Sequence, residues 1–517
     1  MVKGLNTNFL KFKTFTLTFG ICLFFNLKVQ AQQKEKIRLI NSEVLESATH
    51  NGKKARKLKG NVQFAHQDAV MHCDSAFMYT DENTIDAYGN VKINQGDSLQ
   101  LTGDYLHYNG DSRLANMQGK KVQLIKPDLI LTTTAILFDR TTNVASYTNK
   151  GLIESKTDNN TLESIKGYYQ TDYNIFTFKD SVILKNPDFT MHADTLIFHN
   201  LRNYVEFVGP TTIESEENFI YCELGWYDTG KDLSAYYKNA YMISDGRKLE
   251  GDSLFYDRNQ GFGKAIQNVQ ITDSAENILI NGQTALLYEK NDSAVIYDQS
   301  LLTQIFDQDS LFMHADTFKI YGKGEEHRKL FAYYGVRIFK SDLQGVCDSM
   351  VYSIEDSTIR LRGAPVLWSE DNQMTADIID LHTKDNKIDY IFLEHNAFVI
   401  SEVDSIRYNQ IKGKKMFGYF KDSELHKIEV RGNGQTTYYA LDDDKKFIGV
   451  NVAESSNLDI RIKNQDIHSI TFLSKPDASM HPLGELDPIY DLRYPGFQWL
   501  INKRPKSKQN LFEKELE

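Results

Sequence analysis

Proline is scarce here, 9 residues in a chain of 517, and five of the nine (Pro476, Pro482, Pro488, Pro495 and Pro505) fall after position 475. Most of the chain is therefore spared the residue that interrupts a sheet ladder. Positive charge is outweighed, 59 Lys and Arg against 70 Asp and Glu, and a net charge of −11 argues against nucleic acid as partner. Cysteine is limited to 4 residues, Cys22, Cys73, Cys222 and Cys347. Past the first thirty residues no run approaches the ~18 apolar residues of a membrane-spanning helix. Nucleophile elbow, Walker loop, HExxH and CxxC are all missing, so the expectation is no enzyme, no cofactor and no metal.

What is present begins with a leader. Lys3, Lys11 and Lys13 precede an apolar stretch from Phe15 to Leu27, and Val29-Gln30-Ala31 has the small-residue pattern of a signal-peptidase site. Residues 1–31 read as a signal peptide, and the exported chain starts near Gln32. Its loss takes four lysines and no acid, so the mature net charge falls to −15. Cys22 leaves with it, and three cysteines cannot all pair.

Aromatic residues make up 12% of the chain, a share that suits strands. A short phrase around an acidic residue then recurs: His72-Cys73-Asp74-Ser75-Ala76, Thr102-Gly103-Asp104-Tyr105-Leu106, His192-Ala193-Asp194-Thr195-Leu196, Val346-Cys347-Asp348-Ser349-Met350. With weaker copies the anchors are Asp74, Asp104, Thr134, Gly167, Asp194, Glu223, Asp252, Thr284, Asp316, Asp348, Asp377 and Asp404, spaced 27 to 33 residues apart. Two residues after the anchor eleven of twelve positions are apolar, and four after it again eleven of twelve, where 41% overall hydrophobicity would place about five. Apolar positions two apart mean strands with one buried face.

The residue before the anchor is usually small, which permits a bend in mid-strand, with the following Asp bonding its own backbone. Cys73, Cys222 and Cys347 all occupy that slot and read as small apolar fillers. His72, His192 and His314 stand two before an anchor and read as solvated outer-face residues, not metal ligands. Second strands such as Ala87-Tyr88-Gly89-Asn90-Val91 and turns such as Asn109-Gly110-Asp111 and Asp385-Asn386-Lys387 complete antiparallel hairpins. Stacked, twelve two-strand repeats extend on the order of 115 Å. The pattern fades near residue 410, giving a repeat domain over 32–410 and a strand-containing cap with a loose basic tail over 411–517.

Phrases such as Leu58-Lys59-Gly60-Asn61-Val62 and Asp86-Ala87-Tyr88-Gly89-Asn90-Val91 resemble the OstA-like, LptA-like superfamily of periplasmic lipopolysaccharide-transport proteins, over roughly residues 40–410. The resemblance implies an all-β, elongated antiparallel β-jellyroll, V-shaped and repeat-based, in a long member without an outer-membrane barrel. It also implies a function: binding lipopolysaccharide acyl chains in an apolar groove and carrying them across the periplasm, in the periplasm or peripheral to the outer membrane. Partners would be lipopolysaccharide and other Lpt-type membrane components, met by pairing of terminal strands, with edge-to-edge self-association and no nucleic acid. Groove-lining candidates are Leu106, Tyr108, Leu196, Phe198, Leu254, Tyr256, Phe318 and Met350. The same eight fit a closed, filled core equally well, and a structural or adhesive exported repeat protein without lipid cargo is the alternative.

Overall fold

The computed structural model describes residues 35–513, apart from 96–98, 158, 217, 245, 307–308, 323–326, 385–386, 422–423, 443–445, 464–465 and 483–491. The expected signal peptide 1–31 and the turn at Asp385-Asn386 lie outside the described residues. Among the described residues all 36 strand segments belong to one antiparallel sheet, and the helical content is a few 3₁₀ turns such as Asn200–Arg202. The chain folds as all-β, in antiparallel strands, as its period of two requires.

Each strand turns a corner in its middle. Lys53–His66 pairs with Ala69–Tyr79 as Lys59↔Ser75 and then Val62↔Cys73, so Gly60 and Asn61 together face the single residue Asp74. The same two-against-one bulge lies between Ala69–Tyr79 and Thr84–Gln95, where Gly89 and Asn90 face Asp74 from the other side. Bulges of this kind bend a strand. Gly60 and Gly89 hold φ of +76° and Asn61 and Asn90 hold +43° and +45°, a left-handed pair that glycine and asparagine adopt most readily. Behind Gly89 there is no room for a side chain, because a Cβ would come within 2.5 Å of the Asp74 carboxylate.

The bend thus resides opposite the anchor as much as in it. Where the sequence suggested that the anchor Asp bonds its own backbone, the structure shows it bonding across the corner. Asn90 donates to Asp74 (2.8 Å), Asn239 to Glu223 (2.8 Å), Asn268 to Asp252 (3.0 Å) and Asn396 to Asp377 (3.1 Å), each from the left-handed pair of the neighbouring strand.

Fourteen corners follow among the described residues: Glu43, Asp74, Asp104, Thr134, Ile165, Asp194, Glu223, Asp252, Gln283, Asp316, Asp348, Asp377, Lys414 and Ser456. Three differ from the sequence anchors. Gly167 and Thr284 are out by two residues and one, and Asp404 is no corner, since it lies in a hairpin turn closed by Val403 N–H to Arg407 O (2.9 Å). The reason is strand length: Lys387–Glu402 and Tyr408–Lys421 run to 16 and 14 residues, stretching the interval past the earlier period. Position 410 falls inside Tyr408–Lys421, and the sheet continues across it through Glu424–Leu441 and Phe447–Lys463 to Asp477–Pro482.

The corner divides the sheet into two arms that face each other. On Leu99–Asn109, Leu101 and Gly103 point inward before Asp104, and Leu106 and Tyr108 point inward after it, so the corner shifts the alternation by one residue and keeps both arms' apolar faces on one side. The buried residues of both arms form one core running from Ile37 to Ile460.

The stretch expected as a loose basic tail is docked. Residues 492–513 retrace the sheet backward along the outer face of the first arm. Gln410 and Gln373 clasp this strap with both amide atoms, Gln410 to Leu492 O (3.1 Å) and Tyr494 N–H (3.0 Å), Gln373 to Gln498 O and Leu500 N–H (both 2.7 Å). Arg504 reaches Gln344 Oε1 at 2.7 Å. Gln344, Gln373 and Gln410 each stand four residues before a corner, so the sheet presents one amide per repeat to the strap. Phe512 ends it over His314, ring centroids 4.8 Å apart. His314, expected in solvent, is therefore partly covered.

Candidate functional site

The candidate site is the trough between the arms. All eight residues singled out from sequence lie on the second arm and point into it. Leu106, Tyr108, Leu196 and Phe318 are fully buried, Leu254 and Met350 nearly so, and Phe198 and Tyr256 half-buried. Phe198 meets Phe178 edge-on at 6.1 Å, and Tyr256 turns its hydroxyl outward to donate to Glu289 at 2.6 Å. The opposite wall was missed. It consists of residues three before the corner, Met71, Leu101, Leu131, Met191, Leu249, Met313 and Met374, beside valines of the neighbouring strands such as Val62, Val91 and Val269 on the same arm. The signal was in the sequence, as a third apolar column upstream of the same anchors.

Large and small side chains alternate along this interior. Leu106 pairs with Ala87, Met350 with Ala332 and Cys347 with Val336. At the corner the space is tightest: a Cβ on Gly225 would come within 2.0 Å of the Phe207 ring. The cysteines fill such positions as free, buried thiols, and burial pushes the pKa of each up to about 12. They are poor nucleophiles at neutral pH.

Polar contacts close the mouth of the trough where the arm tips meet, and two of them carry a cation. Near one end His66, on the first arm, shares a 2.6 Å hydrogen bond with the Tyr108 hydroxyl of the second. Arg140 from a second-arm turn donates to that hydroxyl (3.3 Å) and pairs with Asp68. Farther along, Lys126 reaches from a first-arm turn to the Tyr169 hydroxyl (2.9 Å) and lies 4.7 Å above the Tyr169 ring. Both contacts join strands well separated in the sheet order, as the twist of a long sheet demands. Beneath Lys126 a cavity of about 20 Å³, room for roughly one water, is lined by Leu124, Leu131, Ile136, Tyr147, Phe176 and Phe178, among others. In this conformation the trough is packed with its own side chains.

Among solved structures, LptH of Pseudomonas aeruginosa, the LptA-homologous periplasmic component of its lipopolysaccharide transport device, is similar at 16% identity over 19% of this chain and 75% of that one, with a TM-score of 0.18. No curated protein matches by sequence. The family model of the OstA-like proteins matches residues 34–194, which include the corners at Glu43, Asp74, Asp104, Thr134, Ile165 and Asp194. Through that stretch the chain is similar to the OstA-like proteins.

Proposed function

We propose that this protein serves lipopolysaccharide transport by taking acyl chains between its two arms and passing them along the trough in the periplasm. The observation that carries the reading is the unbroken apolar interior, one core from Ile37 to Ile460 that passes every corner in the same way. Each methylene removed from water is worth about 0.8 kcal/mol, so an acyl chain needs such cover to cross an aqueous compartment. Because the walls repeat, a chain displaced by one repeat exchanges like contacts for like, and movement along the trough costs little. Entry requires the arms to part, since the side chains now in contact must give way to lipid. The sheet ends support docking to other Lpt-type components or to a second copy: Val44–His50 and Asp466–Leu473 each pair on one side only among the described residues.

Photo-crosslinking tests the reading. A photoreactive residue at Leu254, buried in the trough, captures lipopolysaccharide, whereas one at Arg258, exposed in the adjoining turn, does not. Equal labelling at both positions, or at neither, favours a structural repeat protein without cargo.

A further inference from the structure

Of the two cations that close the trough, one is neutralised and the other is not. Arg140 pairs with the Asp68 carboxylate. Lys126 has no carboxylate within ion-pair distance among the described residues, and Asp128 in the same turn lies beyond that reach. Its ammonium is held by neutral groups: the Tyr169 hydroxyl at 2.9 Å, the Asn174 amide oxygen at 3.5 Å, and the faces of Tyr169 and Phe176 at 4.7 and 5.5 Å. Those two rings are also walls of the cavity between the arms. A second ammonium joins the turn, as Lys156 donates to the Lys126 carbonyl oxygen at 2.6 Å. A cation over aromatic faces is an attractive but incomplete arrangement, and an anion brought to it gains a charge-assisted hydrogen bond.

The geometry points to Lys126, with Lys156 beside it, as the ligand for the anionic head of an acylated phosphosugar whose chain enters the trough between Tyr169 and Leu131. The inference rests on the transport reading and deepens it by fixing one place where head and chain are held together. Swinging Lys126 from the rings to a phosphate frees Tyr169 and Phe176 to move apart, and the small cavity beneath them is where the packing yields first. The Lys126 and Lys156 ammonium groups outnumber the one carboxylate of the turn, Asp128, and so favour an anionic head. The Lys126–Tyr169 contact then acts as a stopper that the ligand's own head removes.

The test is equilibrium binding of lipid A, and of lipid A stripped of its phosphates, to the full chain carrying Lys126, Lys126→Met or Lys126→Arg. Met keeps the apolar stem and removes the charge. Lys126→Met weakens lipid A binding about tenfold, roughly 1.4 kcal/mol, leaves the dephosphorylated lipid unaffected, and is rescued by Lys126→Arg. Inorganic phosphate, which lacks the chain, fails to displace lipid A at equimolar concentration. Unchanged lipid A affinity in Lys126→Met, an equal loss for both lipids, or displacement by free phosphate overturns the assignment while leaving the trough reading intact. If the unaltered protein binds neither lipid and Leu254 captures none, both readings fall together. Matching thermal melting curves for the three variants exclude misfolding as the cause.

Discussion

At the residue scale the corner positions do the structural work. A left-handed pair such as Gly89-Asn90 supplies the bend, an acidic residue such as Asp74 opposite accepts from the Asn, and a small buried residue such as Cys73 just before it lets the arms approach. A side chain larger than the space allows must push strands apart. Gly225→Val, whose Cβ would meet Phe207 at 2.0 Å, is expected to destabilise the protein by about 1–3 kcal/mol, read as a lower denaturation midpoint in urea. The thiols of Cys73, Cys222 and Cys347 give a second expectation. Their folded pKa of about 12 lies above the ordinary thiol value of 9.0, so their contribution to stability is complete below pH 9 and is lost as pH rises from 9 toward 12. Thiol titration with a chromogenic disulfide at pH 7.5 should therefore find all three slow to react in the native protein and fast in denaturant. Rapid native labelling would contradict their burial.

At the scale of elements, the arms are joined by strong ladders along the sheet and by few polar contacts across the mouth. Arg140→Ala removes one such contact, taking the guanidinium away from Asp68 and from the Tyr108 hydroxyl. Amide hydrogen exchange should rise in the turns around His66 and Asn109 and stay unchanged near Lys126, which the second contact holds independently. The strap behaves as a separate element. Its glutamine partners and Trp368 are buried on the outer face: Trp368 and Gln373 are 0% exposed and Gln410 2%. Ending the chain after position 491, in a Trp226→Phe background, leaves Trp368 as the remaining tryptophan. Its emission should shift to the red and become quenchable by acrylamide, while unchanged emission would mean that the strap does not cover it.

At the scale of the whole molecule, 36 segments make 28 folded strands, because eight strands are broken in two at the corner. At ~4.8 Å per strand the sheet extends on the order of 130 Å. A compact body of this many residues would have a radius of gyration near 23 Å, whereas a rod of that length gives roughly 38 Å. Small-angle scattering distinguishes the two directly. A radius close to the compact value would remove the extended trough and the carrier role with it.

Periodicity by itself determined the larger part of this protein. Apolar residues two apart, repeated at near-constant spacing around small-acidic pairs, could fold only as stacked antiparallel hairpins, and they placed Leu106, Leu196, Leu254 and Phe318 on an inner face. The cysteines, too, were legible as fillers, since they share the slot of Gly103 and Ala193. What the sequence could not decide depends on residues meeting from distant strands. Lys414 and Ser456 are corners without an acidic residue, recognisable only from the left-handed pairs opposite them. The twist of the sheet, not sequence distance, brings Lys126 to Tyr169 and Arg140 to His66. The strap read as a loose tail because Gln344, Gln373 and Gln410 look like ordinary surface residues until the chain returns over them. Local pattern sets the strand and its inner face, because alternation is a property of neighbouring residues. The closing of the mouth and the docking of the strap belong to tertiary structure, where long-range geometry chooses the partners.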